Sequence, residues 1–258
     1  MTSNAWRDLL SGEEPRFGMW IASGSSYLAE ICAGSGLDWL MLDQEHVPND
    51  LRSTLSQLQA VAAYPIEVLV RPASGDPVVI KQLLDIGATN LIVPMVESAA
   101  EAAALVAATR YPPAGVRGVG SALARSSRWN RTSDYLITAE DSITLTVQVE
   151  STAGLKALKD IASTPGVDAV FIGPADLAAS MGHLGRPQDP EVVEVIEQAI
   201  SDITECGTAA GVNAFDETLA RRYVEAGARF VLVGADVAML ARGSDELARR
   251  YVTTDEIL

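Results

Sequence analysis

The chain has 258 residues, with 34 acidic against 19 basic side chains, 48% hydrophobic residues and two cysteines. That composition excludes a disordered chain, a collagen and a disulfide scaffold, and the length suffices for a large core in one α/β barrel or in two smaller units. A formal net charge of −15 repels phosphate backbones and anionic lipid, so neither nucleic acid nor a membrane is an expected partner.

No stretch approaches the roughly 18 uninterrupted apolar residues of a membrane span, and residues 1–15 are polar and acidic, without the apolar centre of a secretory leader. A cytoplasmic protein is expected. Cys32 and Cys206 form no C-x-x-C pair and no cluster with histidine, and read as buried thiols in a reducing compartment.

In chain order, short apolar runs recur at Phe17 to Ala22, Trp39 to Asp43, Ile66 to Arg71, Leu91 to Pro94, Thr144 to Val149, Ala169 to Ile172, Gly211 to Ala214 and Phe230 to Val233. Most lack polar alternation, as strands covered on both faces do. Helical segments lie between them. Leu51 to Ala63 follows Asn49-Asp50, Val78 to Ile86 precedes Gly87, and a further helix covers Ala99 to Thr109. Glu191 to Cys206 carries an apolar stripe of Val192, Val195, Ile196, Ala199, Ile200 and Ile203, with Asp189 before it and Gly207 after.

Strand and helix alternating eight times predict a closed (β/α)8 TIM barrel, with an open doubly wound sheet as the rival. No linker-like segment divides the chain, so residues 1–258 are expected to form one domain. The long connection Arg110 to Arg131, bearing Arg117, Arg125, Arg128 and Arg131, is expected to be a functional loop or a subunit contact. Its Gly118-Val119-Gly120 lacks the third glycine of a dinucleotide fingerprint.

Barrel chemistry gathers where strands end. Asp43-Gln44-Glu45-His46 follows the second run, Arg71-Pro72 ends the third, Gln148-Val149-Glu150 ends the fifth and Gly173-Pro174-Ala175-Asp176 follows the sixth. Glu150 and Asp176 offer hard oxygens of the kind Mg2+ or Mn2+ prefers; alternatively, each carboxylate serves the start of a helix. His46 follows acids on its loop and suits a general acid/base, or a structural hydrogen bond. Arg71 is delivered into the mouth, to hold a carboxylate or an enolate oxygen, or to pair internally with Asp43 or Glu45. Gln148 adds a neutral donor, and backbone N–H groups after Gly173 suit a substrate carboxylate. The only lysines, Lys81, Lys156 and Lys159, fall in predicted helices, which argues against a Schiff base.

The segments Asp38 to His46, Arg71-Pro72, Ile92 to Val96, Gln148 to Glu150 and Phe171 to Leu177, in this order, resemble the HpcH/HpaI aldolase family from about Phe17 to near Arg250. That family comprises metal-dependent class II pyruvate aldolases. The resemblance implies a (β/α)8 barrel of phosphoenolpyruvate/pyruvate-binding type, with its C-terminal helix, here roughly Asp236 to Tyr251, exchanged between subunits. It implies a homo-oligomer, a hexamer built as a trimer of dimers. Glu150 and Asp176 match the ligands of a divalent metal ion (Mg2+, Mn2+ or Co2+), and Arg71 matches the arginine that polarises the keto-acid oxygen. Gln148 matches a residue beside bound pyruvate, and Gly173, Pro174 and Ala175 match the backbone that receives its carboxylate. His46 matches the acid/base histidine, with Asp43 as partner and Asp85 as a second candidate.

The implied reaction is reversible cleavage of a 4-hydroxy-2-keto acid into pyruvate, or a close 2-keto acid such as hydroxypyruvate, and an aldehyde. Two alternatives stand beside it. One is a CoA-thioester lyase of the citramalyl-CoA or malyl-CoA lyase kind, which needs a basic groove; the other is a non-catalytic keto-acid-binding barrel. The loop Ser121 to Trp129 and the segment Asn213 to Asp216 match no single member and shape the aldehyde side of the pocket.

Overall fold

Each apolar run becomes a strand of one closed parallel barrel, ordered β1 to β8 with every neighbour hydrogen-bonded to the next. The strands of this computed structural model, which describes residues 4–252, are β1 (Arg16–Ile21), β2 (Trp39–Asp43), β3 (Glu67–Arg71), β4 (Asn90–Val93), β5 (Thr144–Val149), β6 (Ala169–Ile172), β7 (Ala209–Asn213) and β8 (Phe230–Ala235). The open doubly wound sheet is thereby excluded. Around the barrel run α1 (Ala5–Leu10), α2 (Ser26–Ala33), α3 (Leu51–Ala60), α4 (Pro77–Asp85), α5 (Ala99–Thr109), α6 (Tyr135–Thr138), α7 (Thr152–Lys156), α8 (Leu158–Ala162), α9 (Pro174–Ser180), α10 (Pro190–Glu205), α11 (Glu217–Glu225) and α12 (Asp236–Tyr251).

Local chemistry sets the helix ends. Asp50 forms a capping box with Ser53 at the start of α3, and the expected helix to Ala63 instead tightens into a 3-10 turn at Val61–Ala63. In α10 the buried stripe includes Val193, whereas Val195 is only half-buried. Cys32 and Cys206 are free and half-buried, more open than expected.

The period of two along each strand sorts residues to opposite faces. Leu40 and Leu42 of β2, Val70 of β3, and Val147 and Val149 of β5 pack outward against helices. Trp39, Met41, Leu69, Phe171 and Phe230 fill the lumen. Both faces are apolar, which is why the strands show no polar alternation. The rings of Trp6, Trp39 and Phe230 meet pairwise at 5.5–5.8 Å. A Cβ on Gly18 would lie 2.2 Å from the Trp39 ring, so glycine at this position makes room for the aromatic layer.

Helix α1 was not foreseen from the sequence. It seals the amino-terminal end of the barrel with Trp6, which is fully buried, and Leu10. Asn4 donates to Asn90 Oδ1 at 2.9 Å and to the Ser142 carbonyl at 2.7 Å, and Arg7 Nε reaches Asp168 at 2.8 Å. With that end closed, the carboxyl-terminal mouth is where polar groups meet solvent.

Candidate active site

The last residues of β2 and β3 are rung partners, Asp43 opposite Arg71. Both face the lumen and both are almost wholly buried. Arg71 forks onto Asp43, Nε to Oδ1 at 2.8 Å and Nη2 to Oδ2 at 2.9 Å. Its Nη1 lies 3.0 Å from Glu45 Oε2, and its guanidinium stacks 4.5 Å from the ring of Trp20. Burial pushes the Asp43 carboxyl up, but hydrogen bonds and charge from Arg71, with N–H groups of Glu45 and Trp20, outweigh it and hold it below the ordinary range. The internal pairing foreseen as one reading of Arg71 is therefore present, and it fixes the cation at the mouth.

Glu150 follows β5 and is buried, accepting from the Met95 N–H at 2.8 Å and from Gln148 Nε2. It caps no helix, because Ser151 does that for α7 by accepting from Gly154 at 3.0 Å. Burial raises the Glu150 carboxyl; Gln148 and Met95 partly offset this, and the charges of Glu45 and Asp176 add to the rise. Glu45 is raised by burial too, against relief from Arg71 and His46, with Asp43 and Asp176 repelling it. Three carboxylates, Glu45, Glu150 and Asp176, thus converge with too little positive charge between them.

Among the described residues, no group of three or more His, Cys, Asp or Glu side chains is arranged to hold a metal ion. The pair Glu150 and Asp176 nevertheless fits a hard divalent cation that takes its remaining ligands from substrate and water. A cation there would offset the burial of the Glu150 carboxylate, to which the Asp176 charge adds a smaller repulsion, and the buried Gln148 Oε1 beside it has no hydrogen-bond partner among the described residues. A Cβ on Gly173 would lie 2.5 Å from Glu150 Oε2 and 3.0 Å from Gln148 Nε2, so the bare glycine keeps space open beside this pair.

Asp176 is exposed in the first turn of α9. Of the three residues expected to receive a carboxylate, Gly173 spends its N–H on the Val149 carbonyl at 3.2 Å and Pro174 has none. Only Ala175, in the first turn of α9, keeps an N–H without an intrahelical acceptor.

The His46 ring is 59% exposed, with Nε2 at 3.7 Å from Glu45 Oε2. Asp43 reaches only the backbone N–H of His46, at 3.4 Å, so its expected pairing with the ring is replaced by Glu45. Asp85 does not join the site within one chain. It ends α4, on the side leading into β4, and accepts from Arg117 Nη2 at 3.1 Å. His183 is held by Asp189 at 2.7 Å and Glu191 at 3.3 Å at the start of α10.

Residues 16–242 match the HpcH/HpaI aldolase/citrate lyase family. The chain belongs to that family. It is 55% identical over 249 residues to a 4-hydroxy-2-oxo-heptane-1,7-dioate aldolase of Klebsiella pneumoniae subsp. pneumoniae, covering 96% of this chain and 94% of the relative. A relative of the same description from Salmonella dublin is 53% identical over 248 residues, with 96% and 94% covered. The crystal structure of an HpcH/HpaI aldolase/citrate lyase family protein from Burkholderia cenocepacia J2315 superposes with a TM-score of 0.93 at 41% identity, covering 97% of this chain and all of that one.

Two residues at the mouth of this HpcH/HpaI family member escaped the sequence reading of roles, Trp20 and Met95, whereas Glu45 pairs with Arg71 as one reading foresaw. Met95 holds a left-handed φ of 58°, rare for a side-chain-bearing residue, and so aims its N–H at Glu150. Pro94 before it marked a turn in the sequence, but not its direction. Trp20, two residues on from Gly18 in β1, becomes visible only once the barrel brings β1 beside β2. The arginine-bearing connection is largely spent within the fold. Arg110 pairs with Glu140 at 3.1 Å, Arg117 is buried over Tyr111 at 4.4 Å, and Arg125 donates to the Ile86 carbonyl at 2.8 Å.

Proposed function

We propose that this chain is a carbon–carbon lyase, a class II aldolase that reversibly cleaves a 4-hydroxy-2-keto acid into a 2-keto acid such as pyruvate and an aldehyde. The observation that carries the reading is the placing of Glu150 after β5 and Asp176 in the first turn of α9, beside Gln148 and the buried Arg71. The 4-hydroxy-2-oxo-heptane-1,7-dioate aldolases at 53–55% identity support it.

A divalent ion, Mg2+, Mn2+ or Co2+, held by Glu150 and Asp176 would supply Lewis-acid polarisation of the keto acid. Ala175 receives the substrate carboxylate at its N–H. Arg71, anchored on Asp43 and covered by Trp20, compensates negative charge as it develops on the keto oxygen, in a position that needs no rearrangement. Gln148 orients Glu150. His46, exposed at the rim beside Glu45, moves the proton between the 4-hydroxyl and solvent. The CoA-ester reading needs a basic groove, and three arginines of the long connection, Arg110, Arg117 and Arg125, are already engaged within the fold.

The same reading includes assembly. Of the 16 residues of α12 only Asp236 is buried, accepting from the N–H groups of Ala22 and Ser23 at 2.8 and 3.2 Å. Beside β1, β8 and α11 runs a groove of about 600 Å3, lined by Phe17, Phe215, Ala220, Val224 and Val233 among others. We assign that groove to α12 of a second copy, in a hexamer made of such dimers. Among the described residues no helix is long and apolar enough to cross a membrane, and free Cys32 and Cys206 fit a reducing cytoplasm.

Proton NMR of pyruvate in D2O tests the chemistry without an acceptor aldehyde. Loss of the methyl signal with added Mg2+, Mn2+ or Co2+, abolished by a chelator and by Glu150→Gln, is expected. No exchange with any of the three ions, under conditions where pyruvate binds, would sink the proposal in favour of a binding barrel.

A further inference from the structure

Asn213, the last residue of β7, takes no part in the chemistry assigned above beyond its expected place on the aldehyde side of the pocket. Its neighbours Ala210 and Val212 pack outward in the helix-facing core, while Ala209 packs on the lumen cluster, so the period of two turns Asn213 inward. The ladder pairs Val212 with Ile172. One rung further along, Asn213 stands beside Gly173, about 4.8 Å away across the strand spacing. Gly173 is the bare position against Glu150 and Gln148. Asn213 Oδ1 is buried and has no hydrogen-bond partner among the described residues. A buried amide oxygen left unpaired is costly, whereas a ligand that supplies a donor relieves it.

With its carboxylate at Ala175, just past Gly173, and its keto oxygen at Arg71, the keto acid of the proposed reaction would lie within reach of the end of β7, where we set its third carbon. Pyruvate would present a methyl group there. The geometry points to Asn213 as a specificity residue that selects a hydroxyl on C3 of the keto-acid donor, an inference that rests on the aldolase reading of this site. Either orientation of the amide gives a hydroxyl a partner and a methyl none. The aldol handled best is then a 3,4-dihydroxy-2-keto acid. In the forward addition C3 of the donor gives up a proton and bonds to the aldehyde carbon, and the aldehyde oxygen takes up a proton; cleavage reverses both.

The test compares kcat/KM for deuterium exchange at C3 of hydroxypyruvate and of pyruvate, with saturating Mg2+ and an enzyme-free control. The full-length wild type is set against Asn213→Leu and, should leucine not fit, Asn213→Ala. The wild type is expected to favour hydroxypyruvate about tenfold or more, and each variant to reduce that ratio about tenfold or more. A ratio that neither variant changes, with pyruvate still exchanging, overturns this inference and leaves the aldolase reading intact. Absence of exchange with both donors in the wild type overturns the two together.

Discussion

Glu67 is a half-buried acid that the proposed chemistry does not use. It faces the lower lumen, where Asn90 donates to its Oε2 at 3.2 Å. Burial holds its carboxyl above the ordinary 4.5, with the Asn90 hydrogen bond pulling the other way. The folded chain therefore keeps this proton after the unfolded chain has released it. The stability this group contributes is complete below pH 4.5 and is lost as pH rises through the higher folded value. Glu67→Gln keeps an acceptor for Asn90 and removes the charge. The variant should melt about 1–3 °C above wild type at pH 7 and level with it near pH 4, measured by calorimetry at both values. Arg71 illustrates the opposite case, a buried charge fully compensated by Asp43. Its internal pairing and its proposed catalytic role are compatible, since the pairing that stabilises it also aims it. Its place at a strand end was legible because it follows an apolar run. Trp20 was not, because a lone aromatic residue in a strand acquires a role only through register with other strands.

At the scale of elements, the strands were legible because burial on both faces leaves unbroken apolar runs, and their ends shifted by one or two residues where the ladder continues into small or polar residues. Ala209 and Ala210 extend β7 backward from Gly211, and Ala235 extends β8 beyond Val233. Helix α1 was illegible for a physical reason. Six residues make under two turns, too short for a periodic stripe, and its stability comes from docking on the barrel base rather than from its own sequence. That dependence runs both ways. Trp6 packs on Trp39 and Phe230, so Trp6→Ala opens a cavity in the lower lumen and should cost about 3–5 kcal/mol. Urea denaturation would read this as a lowered midpoint. A midpoint within error of wild type would mean that α1 is peripheral to the barrel.

At the scale of the whole molecule, a chain of net charge −15 repels its own copies, so the proposed assembly must rest on apolar contact rather than on general attraction. Helix α12 offers that contact. Val237, Met239, Leu240, Leu247 and Tyr251 are 42–81% exposed, far more apolar surface than a solvated terminal helix carries on a monomer. Its N-terminus is pinned by Asp236 to the end of β1, which fixes the direction in which the helix leaves the barrel. Sixteen residues span about 24 Å, enough to cross a neighbouring barrel's flank. Replacing Met239 and Leu240 together with glutamate puts two charges into the groove between β1, β8 and α11 of the partner without touching the barrel interior. Sedimentation should then show smaller species than the wild-type oligomer, with an unchanged far-UV circular dichroism spectrum. Raised salt, which screens the repulsion between copies, should favour the wild-type assembly rather than dissociate it. A double variant that stays fully assembled would mean that α12 is not the exchanged element and that the copies meet through another face.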